Sequence, residues 1–176
     1  SIKLGEVKCV ISGGQENMSL APHSIFFRDN KKISEEQLVD TMIRDGLIDA
    51  FNNYHMGVTA ENVAEKFKIS RDEQDDFALN SQKKTEAAIG INRFDEELIK
   101  INQNGYIIDK DEHPRKGILK SDLQKLKTVF LNNGTVTPGN SSGINDGAAA
   151  LLLTTVEEAK KKSIDPLAKI ISWASV

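Results

Sequence analysis

The stretch Gly134–Leu153 gathers small and hydrogen-bonding residues into one short run. Gly139, Gly143 and Gly147 recur every four residues, and Asn140, Ser141, Ser142 and Asn145 fill the intervals with short polar side chains. A residue without a Cβ lets another backbone or a ligand come close. Short amides and hydroxyls supply hydrogen bonds at that distance. From Ala148 the sequence turns continuously apolar, as expected of a buried strand behind such a loop. The pattern predicts a substrate loop at the edge of a sheet.

The remaining reactive residue types are sparse. Cys9 is the only thiol and lies among Val7, Val10 and Ile11. A catalytic thiol needs an accessible, electropositive position that lowers its pKa, so mid-strand placement favours an inert core residue. His23 and His113 sit in polar connectors and read as solvated loop residues. No pair of His or Cys has metal-ligand spacing. The acidic cluster Glu73, Asp75 and Asp76 reads as the solvated face of a helix. There is no Gly-x-x-x-x-Gly-Lys phosphate loop. These residues by themselves do not name a reaction.

The elements that must position the loop follow from periodicity. Lys8–Ser12 is a short apolar run closed by Gly13-Gly14, predicting a buried strand, and Gln15–His23 is too mixed for a regular element. Ser34 and Gln37 make a capping box before Leu38, Val39, Met42, Ile43, Leu47 and Phe51, spaced for one helical face. His55-Met56-Gly57 is a break, after which Thr59 can cap a helix over Ala60–Phe67. A second capping box, Ser70 with Glu73, opens a long helix to about Ile89. Phe94–Ile101 and Tyr106–Ile108 flank Asn104-Gly105, a hairpin signature. A short helix is predicted over Asp122–Lys127, a strand over Ala148–Thr154 and a helix capped by Thr155 and Glu158. Pro166 precedes a final strand-like run, Ile170–Val176. The order is strand, long helical insertion, strand, helix, strand. It predicts an α/β chain whose parallel-sheet core is interrupted between Gly13 and Gly134.

Composition sets the class. A chain of 176 residues can build one real core. Its 39% hydrophobic and 28% charged residues are ordinary for a soluble globular protein. A net charge of −3 gives no reason to expect a nucleic-acid or membrane partner. No apolar run approaches the roughly 20 residues of a membrane span. A single Cys suits a reducing compartment, and a cytoplasmic location is expected. Both ends fall inside expected secondary structure, which suggests a piece of a longer protein.

Six segments in order carry a family resemblance: Gly13–His23, Asp40–Phe51, Tyr54–Ala64, Ser70–Asp75, Asp111–Arg115 and Gly134–Ala150. Together they resemble the thiolases, most closely the biosynthetic acetyl-CoA acetyltransferases. His55-Met56 before Gly57 is similar to the short-chain branch. The resemblance implies a thiolase-like α/β fold of two similar halves, with a loop domain inserted in the first. Residues 1–14 would be a core strand of the N-terminal half and 15–133 the loop domain, with its tetramerisation loop and coenzyme A-binding region. Residues 134–176 would be the returning substrate loop, core strand and helix, and the start of the C-terminal half.

It also implies the reaction, a Claisen condensation of two acetyl-CoA molecules to acetoacetyl-CoA, and its reverse. The family uses a Cys nucleophile, an activating His, a second Cys as base and oxyanion holes. None of these catalytic residues matches a position here; Cys9 matches neither catalytic Cys. This chain by itself is expected to be inactive and to bind coenzyme A weakly or not at all. Coenzyme A would be substrate and product, with no cofactor and no metal.

By resemblance, Leu47, His55 and Met56 line the loop-domain pocket, with Met56 near the acyl group; without the family, Leu47 and Met56 read as core packing. Arg115 matches a residue beside the adenine and its phosphates. Leu123, Val129 and Phe130 match positions flanking adenine and pantetheine. Ser142 matches the hydroxyl that bonds the pantetheine amide, between the pocket-wall positions Pro138 and Ile144. The chain departs from the family at Gln15, at Asp122 (often Ser), at Pro138 (commonly Ala) and over Phe26–Ser34. There the usual Gly-containing tetramerisation loop is altered, although Arg28, Lys31 and Lys32 keep it cationic. A homotetramer is expected of the full-length protein. A non-catalytic module that binds coenzyme A or self-associates is the competing reading.

Overall fold

The structure, a computed structural model, describes residues 1–25 and 38–175. The capping box Ser34/Gln37 and the cationic positions Arg28, Lys31 and Lys32 lie outside the described residues. The chain divides into two compact units, one of residues 1–17 with 146–176 and the other of residues 18–145.

The first unit is an antiparallel ribbon of β1 (Cys9–Asn17) and β6 (Asp146–Thr154), in register from Cys9 opposite Thr154 to Asn17 opposite Asp146. The parallel core expected from the element order is therefore corrected: a long excursion is compatible with either direction, and the chain returns antiparallel. β1 also runs through Gly13-Gly14 rather than ending there. A Cβ on Gly13 would meet Ala150 Cα at 3.1 Å, so the missing side chain lets the partner strand pass. The ribbon is not buried. Ile11, Leu151 and Leu152 are exposed, and so is Cys9, against the expectation of a core thiol. A two-stranded ribbon carries its apolar pattern but covers neither face. Thr155 then caps α4 (Val156–Lys161) by accepting from the Glu158 N–H at 3.1 Å. Ile170–Ser175 forms no strand; Trp173 is exposed, with the Lys3 ammonium 5.2 Å from its ring centre.

The second unit begins with a minimal ribbon, β2 (His23–Ser24) against β3 (Val39–Asp40). The helix expected through Phe51 is absent. Asp40 Oδ1 accepts from the Met42 and Ile43 N–H groups and starts a separate turn of wide helix over Met42–Leu47. Gly46 weakens that turn, and Ile48 is extended and bridges His55. Asp49 then accepts from Phe51 N, Asn52 N and the Asn52 side chain. Short acidic side chains that hydrogen-bond nearby backbone defeat a helical pattern in this way. Phe51 is 98% exposed rather than on a buried face.

Helix α1 (Met56–Phe67) starts earlier than Thr59 because His55 is its N-cap: Nδ1 accepts from Gly57 N at 2.9 Å. Helix α2 (Arg71–Gly90) has the expected reciprocal box between Ser70 and Glu73. β4 (Ile101–Gln103) and β5 (Tyr106–Ile108) form the hairpin. Asn104 and Gly105 take φ of 53° and 89°, the left-handed pair that a two-residue hairpin turn requires. Residues 94–100 stay outside the strand. Helix α3 (Lys120–Gln124) follows, with Leu123 almost wholly buried. Among the described residues of this unit the buried apolar side chains are Ala64, Leu79, Leu123 and Val136.

Candidate functional site

The returning segment 134–142 is held in place by carboxylates that the sequence reading left on the surface or did not single out. Glu61, on α1, is buried and accepts from Thr135 N at 2.8 Å, Thr135 Oγ1 at 2.7 Å and Val136 N at 2.8 Å. Burial works against its charge, but donation from Val136 and Thr135 outweighs it and holds the carboxyl below the ordinary carboxylate range. Gly134 is where it is because a Cβ there would run into the Glu61 carboxylate. Gln74 donates to Thr135 Oγ1 at 2.9 Å.

Asp75 corrects the reading of a solvated acidic face. It is fully buried, taking Arg71 Nε at 2.8 Å and Asn140 Nδ2 at 3.0 Å. Arg71 also donates to the Leu123 carbonyl at 2.7 Å and the Leu126 carbonyl at 3.1 Å. Glu73 of that cluster is exposed as expected, and Asp76 is half-buried and pairs with Lys120, as does Asp72. Nothing in local periodicity distinguishes Asp75 from Asp76. The signal that could have found it is Arg71 four residues earlier, an i,i+4 pair on the helix face beneath the loop.

These ties create a groove of about 400 Å³. One wall is α2, through Phe77, Ala78, Ser81 and Gln82. The connector brings His113, Arg115 and Ile118, α3 brings Asp122 and Leu123 with Leu126 just after it, and the loop brings Pro138–Ser142. Four residues singled out by resemblance therefore meet in one place: Arg115, Leu123, Pro138 and Ser142. Arg115 is fixed through its backbone N–H, which donates to Gln82 at 2.9 Å and leaves the guanidinium on an exposed residue. Asp122 is engaged in capping, accepting from Leu119 N at 3.2 Å, with Lys125 Nζ at 3.5 Å. Its charge is partly offset, so the departure from Ser adds less negative potential to the groove than a free carboxylate would.

The glycines act differently from the expectation. A Cβ on Gly139 would sit 2.6 Å from Leu126 and 2.7 Å from Leu123, and one on Gly143 would sit 2.7 Å from the His113 ring. Both admit the protein's own side chains rather than leaving an open approach, while Gly147 has no neighbour that a Cβ would meet. Asn140 is likewise turned to structure, donating to Thr135 O at 3.0 Å and accepting from Thr137 N at 2.8 Å. Ser141 bonds the Thr137 carbonyl at 2.7 Å. Ser142, exposed, lines the groove on the loop side, as Ser81 does on α2.

The other six residues lie outside this groove. His55 stacks on Phe130, ring centres 4.7 Å apart and 25° from parallel. Phe130 passes over Gly57 so closely that a Cβ there would enter its ring. Since His55 Nδ1 accepts the cap hydrogen bond, its own N–H is on Nε2. Met56, next to His55, lines a separate, almost wholly apolar groove of about 440 Å³ with Val63, Ala64 and Ile69. Leu47 is half-buried beside the Ile48–His55 bridge. Val129 donates its N–H to Val136 O at 3.1 Å but exposes its side chain, and Ile144 is also exposed. Among the described residues no cluster of His, Cys, Asp and Glu could hold a metal ion, and no helix is long and apolar enough to cross a membrane.

Comparison with known proteins agrees with this architecture. Residues 1–157 match the model of the thiolase N-terminal domain. The chain is 48% identical over 178 residues to an acetyl-CoA acetyltransferase of Rhizobium meliloti, covering 99% of this chain and 45% of that protein. It is 46% identical over 180 residues to the cytosolic acetyl-CoA acetyltransferase of Rattus norvegicus, again covering 99% of this chain and 45% of the relative. The chain thus spans about half the length of the curated relatives it matches. Among solved structures, the Bacillus anthracis acetyl-CoA acetyltransferase superposes with a TM-score of 0.84 at 38% identity, covering 94% of this chain and 43% of that one. Human mitochondrial 3-ketoacyl-CoA thiolase in complex with CoA gives 0.83 at 36% identity, covering 93% and 42%. With the fold, the ordered segments and the family model in agreement, the chain belongs to the thiolase family.

Proposed function

We propose that this chain is the coenzyme A-binding part of an acetyl-CoA acetyltransferase that condenses two acetyl-CoA molecules to acetoacetyl-CoA and CoA. The observation that carries the reading is the groove that collects Arg115, Leu123, Pro138 and Ser142 from three separate stretches of sequence. An exposed arginine, the apolar side chains of Phe77, Ile118, Leu123 and Leu126, and serine hydroxyls that include Ser142 suit a ligand with phosphates, an adenine and an amide-bearing arm. Leu47, His55 and Met56 are assigned to the loop-domain pocket, with Met56 near the acyl group, Val129 and Phe130 to positions flanking adenine and pantetheine, and Ile144 to the pocket wall.

The nucleophile, the activating His and the base come from outside these residues in this reading, so the chain alone does not catalyse and binds coenzyme A weakly or not at all. We assign residues 15–133 to the loop domain and 1–14 with 134–176 to core elements. The complete protein acts in the cytoplasm, as the name of the rat relative suggests for that protein, and assembles as a homotetramer.

Steady-state kinetics of the complete polypeptide carrying this segment test the reading. Arg115→Ala and Ser142→Ala are expected to raise KM for acetyl-CoA about tenfold with kcat little changed, the signature of lost uniform binding. An unchanged KM in both variants contradicts it.

A further inference from the structure

We infer that Arg71 and Asn140 form, around the buried Asp75 carboxylate, one latch that sets both walls of the groove, so that neither wall moves without the other. The inference rests on the groove being the coenzyme A site. Asp75 is fully buried and its two oxygens are divided: Oδ2 takes Arg71 and Oδ1 takes Asn140. Through Arg71 the carboxylate reaches the Leu123 carbonyl in the last turn of α3 and the Leu126 carbonyl just beyond it. Through Asn140 it reaches the loop, because that amide also closes the turn on Thr135 O and Thr137 N. One anion therefore anchors the wall bearing Leu123 and Leu126 and the wall bearing Pro138, Gly139 and Ser142.

The walls also meet directly, with Leu123 and Leu126 against Gly139 at distances that exclude even a methyl group. A loop shift large enough to admit a wider ligand would break the Asn140–Asp75 bond and leave a buried charge half-satisfied, a costly state. Asp75 has no exposed surface and both its oxygens are occupied, so it is a positioning residue and not one that touches substrate. The latch gives the groove a fixed width, which suits a narrow ligand arm.

Hydrogen exchange of the complete polypeptide without ligand tests this directly, with acetyl-CoA kinetics alongside. Asn140→Ala touches only the loop wall, yet it is expected to speed exchange about tenfold or more over residues 123–126 as well as 137–142, since exchange reports local opening. Arg71→Lys keeps the charge beside Asp75 but loses the fork to the carbonyls; it is expected to loosen 137–142 in turn and serves if Asn140→Ala does not fold. Both are expected to raise KM about tenfold, whereas Arg115→Ala raises KM without changing exchange. Loosening confined to the wall that each variant touches overturns the inference. If both walls loosen together while the unaltered polypeptide shows no affinity for acetyl-CoA, the latch stands and the ligand assignment falls.

Discussion

The β1–β6 ribbon and the helix-and-loop unit of residues 18–145 are built on opposite principles. The ribbon has strong sequence signals, with alternating and continuous apolar residues, and yet Ile11, Leu151 and Leu152 are exposed. The helical unit has a thin apolar core, Ala64, Leu79, Leu123 and Val136, and is tied together by buried Glu61, Asp75 and Thr137. Apolar pattern tells which residues are able to be buried; it does not supply the surface that buries them. Polar clamps carry their partners with them, so the second unit's geometry is specified locally and in detail. A binding site needs that kind of specification.

The contrast can be broken most forcefully at Asp75. Asp75→Ala leaves the half-buried Arg71 and Asn140 without their shared partner and is expected to destabilise the protein by about 3 kcal/mol, since Arg71 keeps its carbonyl partners and Asn140 its loop partners. Chemical denaturation measures this. A loss below about 1 kcal/mol would mean that the clamps do not define the helical unit.

Glu61 offers the next largest effect and a pH signature. Its folded-state pKa is lowered, because donation from Val136 and Thr135 prevails over burial. Its contribution is therefore present in full above the unfolded carboxylate value and is lost as pH falls through the lower folded value. Denaturation followed from pH 7 downward should show stability falling below about pH 4.5 in the unaltered protein. Glu61→Gln should lose about 2 kcal/mol at neutral pH, because it leaves one N–H poorly served, and should flatten that acid slope. An unchanged slope would remove Glu61 from the account.

Gly57→Ala sharpens the comparison at an apolar contact. The new methyl group enters the Phe130 ring, so the ring must leave its stack on His55. The expected cost is about 1–3 kcal/mol, read as a lower Tm. The smallest stability effect belongs to the ribbon: Ile11→Lys should change it by no more than about 0.5 kcal/mol, as an exposed position does. The same substitution should reduce self-association of this chain, because it interrupts an exposed apolar face. Light scattering that shows a clean monomer before the substitution would contradict that expectation.

The residues explain what was legible in the sequence. Ser70/Glu73, Asn104-Gly105 and Thr155/Glu158 are short-range devices whose partners lie three residues apart or fewer, and the structure forms each where it was expected. The helix expected over Leu38–Phe51 failed because Asp40 and Asp49 compete for its backbone, a local effect that apolar spacing does not register. Asp75, Glu61 and Arg71 were illegible for a different reason: their partners are 52 to 75 residues away or are set by helix phase. The gathering of Arg115, Leu123, Pro138 and Ser142 was not readable from periodicity at all. It emerges only when α2, α3 and the loop are tied to one carboxylate.

The most direct test of the central claim is where coenzyme A protects the complete polypeptide from hydrogen exchange. The account predicts protection over residues 115–126 and 137–142, shifted to about tenfold higher coenzyme A in Arg115→Ala, with the apolar groove beside Val63 and Ile69 unprotected. Protection confined to that apolar groove, or none in either region at saturating coenzyme A, would contradict it.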